Sequence, residues 1–90
     1  NAVFKIAWSD PNFSLFATST VEKTISLYHY QLEKGFSLKL LKKIQCDWFP
    51  LSMSFCPIDQ ELLLTVGFSD GSLCLYDQEL KRIFNTEGHL

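Results

Sequence analysis

The fold class of this chain is decided by the stretch Ser69-Asp70-Gly71-Ser72-Leu73-Cys74-Leu75-Tyr76-Asp77. Asp and Gly tolerate positive φ best, so Asp70-Gly71 predicts a two-residue type I′ turn. The residues from Leu73 to Tyr76 favour a β-strand that ends at Asp77. An apolar run from Glu61 to Phe68 precedes the turn and predicts the partner strand. The stretch therefore predicts a β-hairpin.

Turn signals divide the rest of the chain into further short strands. Clusters of turn-forming residues occur at Ser9-Asp10-Pro11-Asn12, Leu32 to Phe36 and Cys56-Pro57-Ile58-Asp59. We expect the chain also to reverse at Val21-Glu22-Lys23-Thr24, before the third strand. The predicted strands are Val3–Trp8, Leu15–Thr20, Ile25–Tyr30, Leu38–Gln45, Leu51–Phe55, Glu61–Phe68, Leu73–Asp77 and Leu80–Asn85. By composition Leu38–Gln45 also suits a short helix. It has no N-cap and is too short for a stable helix, so we interpret it as an outer strand.

The eight strands form two sets of four with the same order. Ile6-Ala7-Trp8-Ser9 matches Met53-Ser54-Phe55-Cys56 at an offset of 53 − 6 = 47 residues, and Ile25-Ser26-Leu27-Tyr28-His29 matches Leu73-Cys74-Leu75-Tyr76-Asp77 at 73 − 25 = 48. A four-strand repeat of about 40–50 residues is typical of a β-propeller blade. The sequence thus predicts an all-β chain with two four-stranded antiparallel blades, residues 1–45 and 46–87, and the start of a third repeat at 88–90.

The apolar run Leu62-Leu63-Leu64-Thr65-Val66 does not alternate with polar residues, which predicts that both faces of its strand are covered. Two blades alone leave two apolar faces open, and repeat arrays generally need at least about three units. We therefore expect these residues to be a section of a larger ring or to pair with another chain.

On these residues the chain resembles the WD-repeat family of β-propellers, as two consecutive and divergent repeats. Phe55-Cys56-Pro57 resembles the family's first turn, Ser69-Asp70-Gly71 its tight turn and Tyr76-Asp77 its closing Trp-Asp pair. Gly88-His89 resembles the opening of another repeat. The resemblance implies neighbouring blades and a role in binding other proteins.

The same resemblance implies a structural hydrogen-bond set made of His, Ser or Thr, Asp and Trp. The matching positions hold Cys46, Val66, Asp70 and Tyr76 in the second repeat, and Thr18, Glu22 and Tyr28 in the first. In the second repeat only Asp70 keeps the family's residue type. Both repeats are therefore divergent, and their stability is expected to come more from packing than from this polar set. We expect Asp70 to bond donors in its own turn.

Composition and spacing exclude several classes of function. A net charge of −2 and scattered lysines do not favour nucleic acid, and no apolar run approaches the roughly 20 residues of a membrane span. Three scattered cysteines indicate a reducing compartment, cytoplasm or nucleus. His29 and His89 have no ligands at metal spacing, and no nucleophile elbow or phosphate loop is present. The sequence predicts no enzyme, metal or cofactor.

The candidate partner-binding residues lie at Trp48-Phe49-Pro50, where the chain enters the second repeat. Exposed aromatic rings in such a loop can anchor a partner, but both rings can also pack as core, and the sequence leaves both options open. By resemblance, Val21 and Ser69 share the same face.

The leading hypothesis is a non-catalytic scaffold in a multiprotein complex. The alternatives are a propeller section of an enzyme, or of a membrane-trafficking coat or tether, whose active residues lie outside this chain. A lipid-binding propeller ranks last because Arg82 is the single arginine.

Overall fold

The computed structural model describes residues 3–10 and 12–86. In this part of the chain all regular structure is β-strand, and no helix that could cross a membrane is present. The strands are β1 (Val3–Trp8), β2 (Leu15–Thr20), β3 (Thr24–Gln31), β4 (Ser37–Gln45), β5 (Pro50–Ile58), β6 (Glu61–Phe68), β7 (Leu73–Tyr76) and β8 (Arg82–Asn85).

The strands form two antiparallel sheets with the orders β1-β2-β3-β4 and β5-β6-β7-β8, which we call the first and the second sheet. Each strand pairs with the next one along the chain, so both sheets are meanders. The prediction of an all-β chain with two four-stranded antiparallel sheets is confirmed. The strand interpretation of residues 38–45 is also confirmed, because β4 pairs with β3 from Ser37 to Gln45. The third repeat predicted at Gly88-His89 lies outside the described residues.

The predicted turn at Cys56-Pro57-Ile58-Asp59 is wrong. Strand β5 continues to Ile58, and the chain reverses at Asp59-Gln60, where both residues have positive φ, 49° and 68°. These are the features of a two-residue type I′ turn, closed by the pair Ile58 and Glu61. Pro57 is tolerated within β5 because this strand lies at the edge of its sheet, where a missing N–H costs least.

The predicted type I′ turn at Asp70-Gly71 is also wrong, although the hairpin itself is confirmed. Only Gly71 has positive φ, 90°. The Phe68 N–H donates to the Ser72 carbonyl at 2.9 Å, and the Gly71 N–H donates to the Phe68 carbonyl at 3.0 Å. The loop is therefore a three-residue turn over Ser69–Gly71, with glycine in the left-handed conformation that closes the common three-residue hairpin.

The internal repeat is visible in the strand registers. In the first sheet Trp8, Phe16 and Tyr28 lie opposite one another across β1, β2 and β3, a set that we call the large row of that sheet. The large row of the second sheet is Phe55, Leu64 and Tyr76 on β5, β6 and β7. One residue earlier or later on the same strands lie two small rows, Ala7, Ala17 and Leu27 in the first sheet and Ser54, Thr65 and Leu75 in the second.

The hydrophobic core lies between the two sheets. Leu15, Ala17, Ile25 and Leu27 of the first sheet and Leu62, Leu64, Val66, Phe68, Cys74 and Tyr76 of the second form one buried cluster, with Phe55 packed against it. Along β6, residues 62, 64, 66 and 68 are buried and residues 63, 65 and 67 are half-buried. The described residues thus cover one face of β6, and the cover predicted for its other face is not supplied by them.

The outer face of the first sheet is aromatic and open. The Phe16 ring lies 4.7 Å from the Trp8 ring and 5.0 Å from the Tyr28 ring, measured between centroids. These neighbours bury Phe16, whereas Trp8 itself is 56% exposed and Leu40, opposite Tyr28, is 51% exposed. The Cα atoms span 46 × 35 × 16 Å. Strands β4 and β8 are exposed along almost their whole length, so the two sheets cover each other at their inner strands and leave their outer strands open.

Candidate functional site

The linker between the two sheets is fixed by hydrogen bonds at both of its ends. At its start, the Cys46 N–H donates to the Lys23 carbonyl at 2.7 Å, and the Gln45 side-chain amide donates to the Glu22 carbonyl at 2.8 Å. At its end, the Phe49 N–H donates to Ser69 Oγ at 3.1 Å, and the Ser69 N–H donates to the Phe49 carbonyl at 2.9 Å. The linker 45–49 thus joins the β2–β3 turn (20–24) to the β6–β7 turn (68–72). We call these three segments the linker end.

The two aromatic residues of the linker lie on the surface. Trp48 is 51% exposed and Phe49 is 39% exposed, so the alternative in which both rings are core does not hold for the described residues. The Lys23 ammonium lies 5.1 Å from the centroid of the Phe49 ring, within the range of a cation–π contact. The structure therefore links the Phe49 ring to the β2–β3 turn.

All four residues that the sequence proposes for partner binding lie at the linker end. Val21 is 51% exposed in the turn that also carries Lys23. Ser69 is exposed and pairs through its backbone and its hydroxyl with Phe49. Trp48 precedes this pair in the linker. The segments come together because one short connection is bonded to the turns of both sheets.

Asp70 stabilises the hairpin turn of the second sheet. Its Oδ1 accepts hydrogen bonds from the Ser72 N–H at 3.0 Å and from the Ser72 hydroxyl at 2.6 Å. Ser72 is buried, so these bonds also satisfy its polar groups. Sequence reasoning missed Ser72, although the signal was present: Asp commonly bonds the backbone two residues further on, and a serine there adds a second donor.

A cleft of about 380 Å³ lies beside Trp48, between the linker and the second sheet. Cys46 and Asp47 border it on the linker side, and the second sheet contributes Tyr76 and Arg82. Burial raises the pKa of the Cys46 thiol to about 11, with Cys74 and Asp47 adding to the shift. Burial also raises the pKa of the Tyr76 hydroxyl, and Cys46 and Cys74 raise it further, while the Arg82 guanidinium acts in the opposite direction. At neutral pH the Cys46 thiol and Tyr76 hydroxyl are therefore protonated and poor nucleophiles.

The chemistry at the linker end suits binding. It combines exposed aromatic and aliphatic surface with backbone hydrogen bonds that hold the surface in place. Within residues 3–10 and 12–86, no three His, Cys, Asp or Glu side chains are grouped as a metal ion requires. His29 lies at the opposite end of β3 from the linker end, close to Tyr30 and Glu33 along a second cleft.

In comparisons with known proteins, no family model matches this chain and no curated protein matches it significantly. The class of the chain is defined by its fold, two four-stranded antiparallel meanders packed face to face with a linker bonded to both.

Proposed function

We propose that this chain is a section of a WD-repeat-type β-propeller that binds other proteins at its linker end and takes part in a multiprotein assembly without catalysing a reaction. The observation that carries the proposal is the fixed exposure of Trp48 and Phe49. Interface energy concentrates in a few aromatic anchors, and an anchor that is already held in place loses less conformational entropy on binding. Hydrogen bonds on both sides of the linker supply that order.

The assignment to a propeller is supported by the repeated registers of the two sheets and by their open outer faces. In a propeller each blade is covered on both sides by its neighbours. Here only the inner faces are covered, and Trp8 on the outer face of the first sheet is 56% exposed. A cytoplasmic or nuclear location fits the three free cysteines, of which Cys56 is exposed.

The test is affinity capture from cell extract with quantitative mass spectrometry, comparing the unaltered protein with Trp48→Ala and Phe49→Ala. We expect each variant to lose at least one reproducible protein partner, with recovery falling about tenfold or more, because truncating an aromatic hot spot costs about 2 kcal/mol or more. Circular dichroism of the purified variants must match that of the unaltered protein, since both rings are on the surface.

Leu32→Ala is the matched control. Leu32 is 67% exposed, and it follows β3 at the end of the sheet opposite to the linker end. Its variant should keep every partner. Recovery of the same partners by the Trp48→Ala, Phe49→Ala double variant, with folding intact, would reject the linker end as the binding site.

A further inference from the structure

The contact between the two sheets joins two different kinds of face. The second sheet contributes its large row, in which Leu64 and Tyr76 are buried and Phe55 packs against the core. The first sheet contributes its small row, in which Ala17 and Leu27 are fully buried and Ala7 is nearly so. Bulky side chains on one side thus meet small side chains and one leucine on the other, which allows the layers to interdigitate.

The same two kinds of row also lie on the outer faces of the two sheets, but with the sheets exchanged. The large row of the first sheet, Trp8, Phe16 and Tyr28, faces outward. The small row of the second sheet, Ser54, Thr65 and Leu75, faces outward on the other side. Each outer row occupies the repeat-equivalent position of a row that is packed inside the molecule, 47 or 48 residues away.

We propose that a second copy of this chain docks head to tail, with its outer small row covering the outer large row of the first copy. The chain itself carries the complementary face. In the repeat alignment, Ser54, Thr65 and Leu75 stand where Ala7, Ala17 and Leu27 stand in the first sheet. The contact between copies therefore repeats the contact that already holds the two sheets together. In this arrangement further copies of the chain supply the neighbouring blades of the proposed propeller. The inference does not depend on the linker end or on its partners.

A head-to-tail contact is heterologous, so it has consequences that a two-fold dimer lacks. Each copy that uses its large row still presents its small row to the next copy, and growth stops only when the copies close into a ring. Pairing two large rows by a two-fold axis would instead oppose Trp8 and Tyr28 with bulky rings. The packing inside the molecule shows the other arrangement, large against small.

The experiment is sedimentation equilibrium of the 90-residue chain from low micromolar to near-millimolar concentration. We expect the mass to rise above the 10.4 kDa of one copy as concentration increases. Ile6→Arg places a charge beside the outer large row. Ile6 lies two residues before Trp8 on β1, so it is on the same face of the first sheet, and it is 53% exposed. Thr65→Arg places a charge in the centre of the outer small row. Each single variant should associate at least tenfold more weakly than the unaltered chain.

Mixing the two single variants is the decisive step. The Thr65→Arg variant keeps an intact outer large row, and the Ile6→Arg variant keeps an intact outer small row. One contact can therefore form between the two variants, and the remaining rows are blocked. An equimolar mixture should form a species of twice the monomer mass and nothing heavier. Glu33→Arg, in the exposed β3–β4 turn, is the matched control and should associate like the unaltered chain.

Three results would overturn the proposal. The unaltered chain could remain a 10.4 kDa monomer at every concentration. Thr65→Arg alone could associate as strongly as the unaltered chain, which would indicate two-fold pairing of large faces. The mixture could fail to form the mixed dimer. If circular dichroism shows that either variant is unfolded, Leu40→Arg and Ser54→Arg address the same two faces from exposed positions.

Discussion

Ser19 on β2 is a polar residue in an apolar setting. It is fully buried, and its hydroxyl has no hydrogen-bond partner among the described residues. A buried hydroxyl without a partner costs about 1–3 kcal/mol of desolvation. We expect Ser19→Ala to raise the free energy of unfolding by about 1 kcal/mol, as measured by urea denaturation. Ser54→Ala, at an exposed position, should change it by less than about 0.5 kcal/mol. A loss of stability in Ser19→Ala would show that the hydroxyl is satisfied.

Cys46 gives the chain a pH dependence in the alkaline range. Folding raises the pKa of its thiol from the ordinary 9.0 to about 11. Between pH 9 and about 11 the unfolded chain loses the thiol proton while the folded chain keeps it. The contribution of this thiol to the free energy of unfolding is therefore complete below pH 9 and is lost as the pH rises to about 11. The raised pKa of Tyr76 acts in the same direction at still higher pH.

We therefore expect the urea midpoint to fall as pH is raised through this interval, and to fall less steeply in Cys46→Ala. Cys56→Ala is the control, because Cys56 is an exposed cysteine on an edge strand. A decline of equal slope in Cys46→Ala and in the unaltered chain would contradict the assignment to Cys46.

At the scale of elements, we predict that substitutions to and from glycine change stability in opposite directions in the β5–β6 turn and the β6–β7 turn. Gln60 has φ 68° in a turn that favours Asp-Gly, so we expect Gln60→Gly to raise the free energy of unfolding by about 0.5–1 kcal/mol. Gly71 has φ 90°, so we expect Gly71→Ala to lower it by about 1 kcal/mol. Urea denaturation measures both, and equal signs for the two variants would contradict the turn assignments.

These turns also mark how far the sequence determines the elements. The eight strands and their order were predicted because short apolar runs are separated by polar segments, most of which contain Gly, Pro, Asp or Asn. The turn at Asp59-Gln60 was missed because Pro57 was interpreted as a turn residue, whereas an edge strand tolerates proline. The loop type at Asp70-Gly71 was missed because the same dipeptide fits two-residue and three-residue hairpin loops, and only the pairing of Phe68 with Ser72 distinguishes them.

The candidate site was predictable in its members and not in its geometry. Turn and linker positions of Val21, Trp48, Phe49 and Ser69 follow from the strand boundaries. The bond between Phe49 and Ser69 joins residues that are 20 positions apart, and the contact of Lys23 with the Phe49 ring joins the β2–β3 turn to the linker. Both depend on how the sheets pack, which local sequence patterns do not encode.

For the whole molecule, the position of the core predicts that neither repeat folds alone. The buried cluster takes residues from both sheets, and each sheet in isolation would have two open faces. We expect residues 1–45 and residues 46–90, made as separate chains, to lack a cooperative thermal transition by circular dichroism. Mixing them should restore strand structure, and a cooperative transition in either half alone would contradict the shared core.

The matching of large and small rows also has an evolutionary consequence. A tandem duplication of one repeat, inserted at the linker, would meet on each side a face of the kind that it already packs against. The gene could therefore lengthen by whole units without any new surface having to be selected first. Substitutions that suit a particular partner could then accumulate in the linkers and turns, where the sheets do not constrain them.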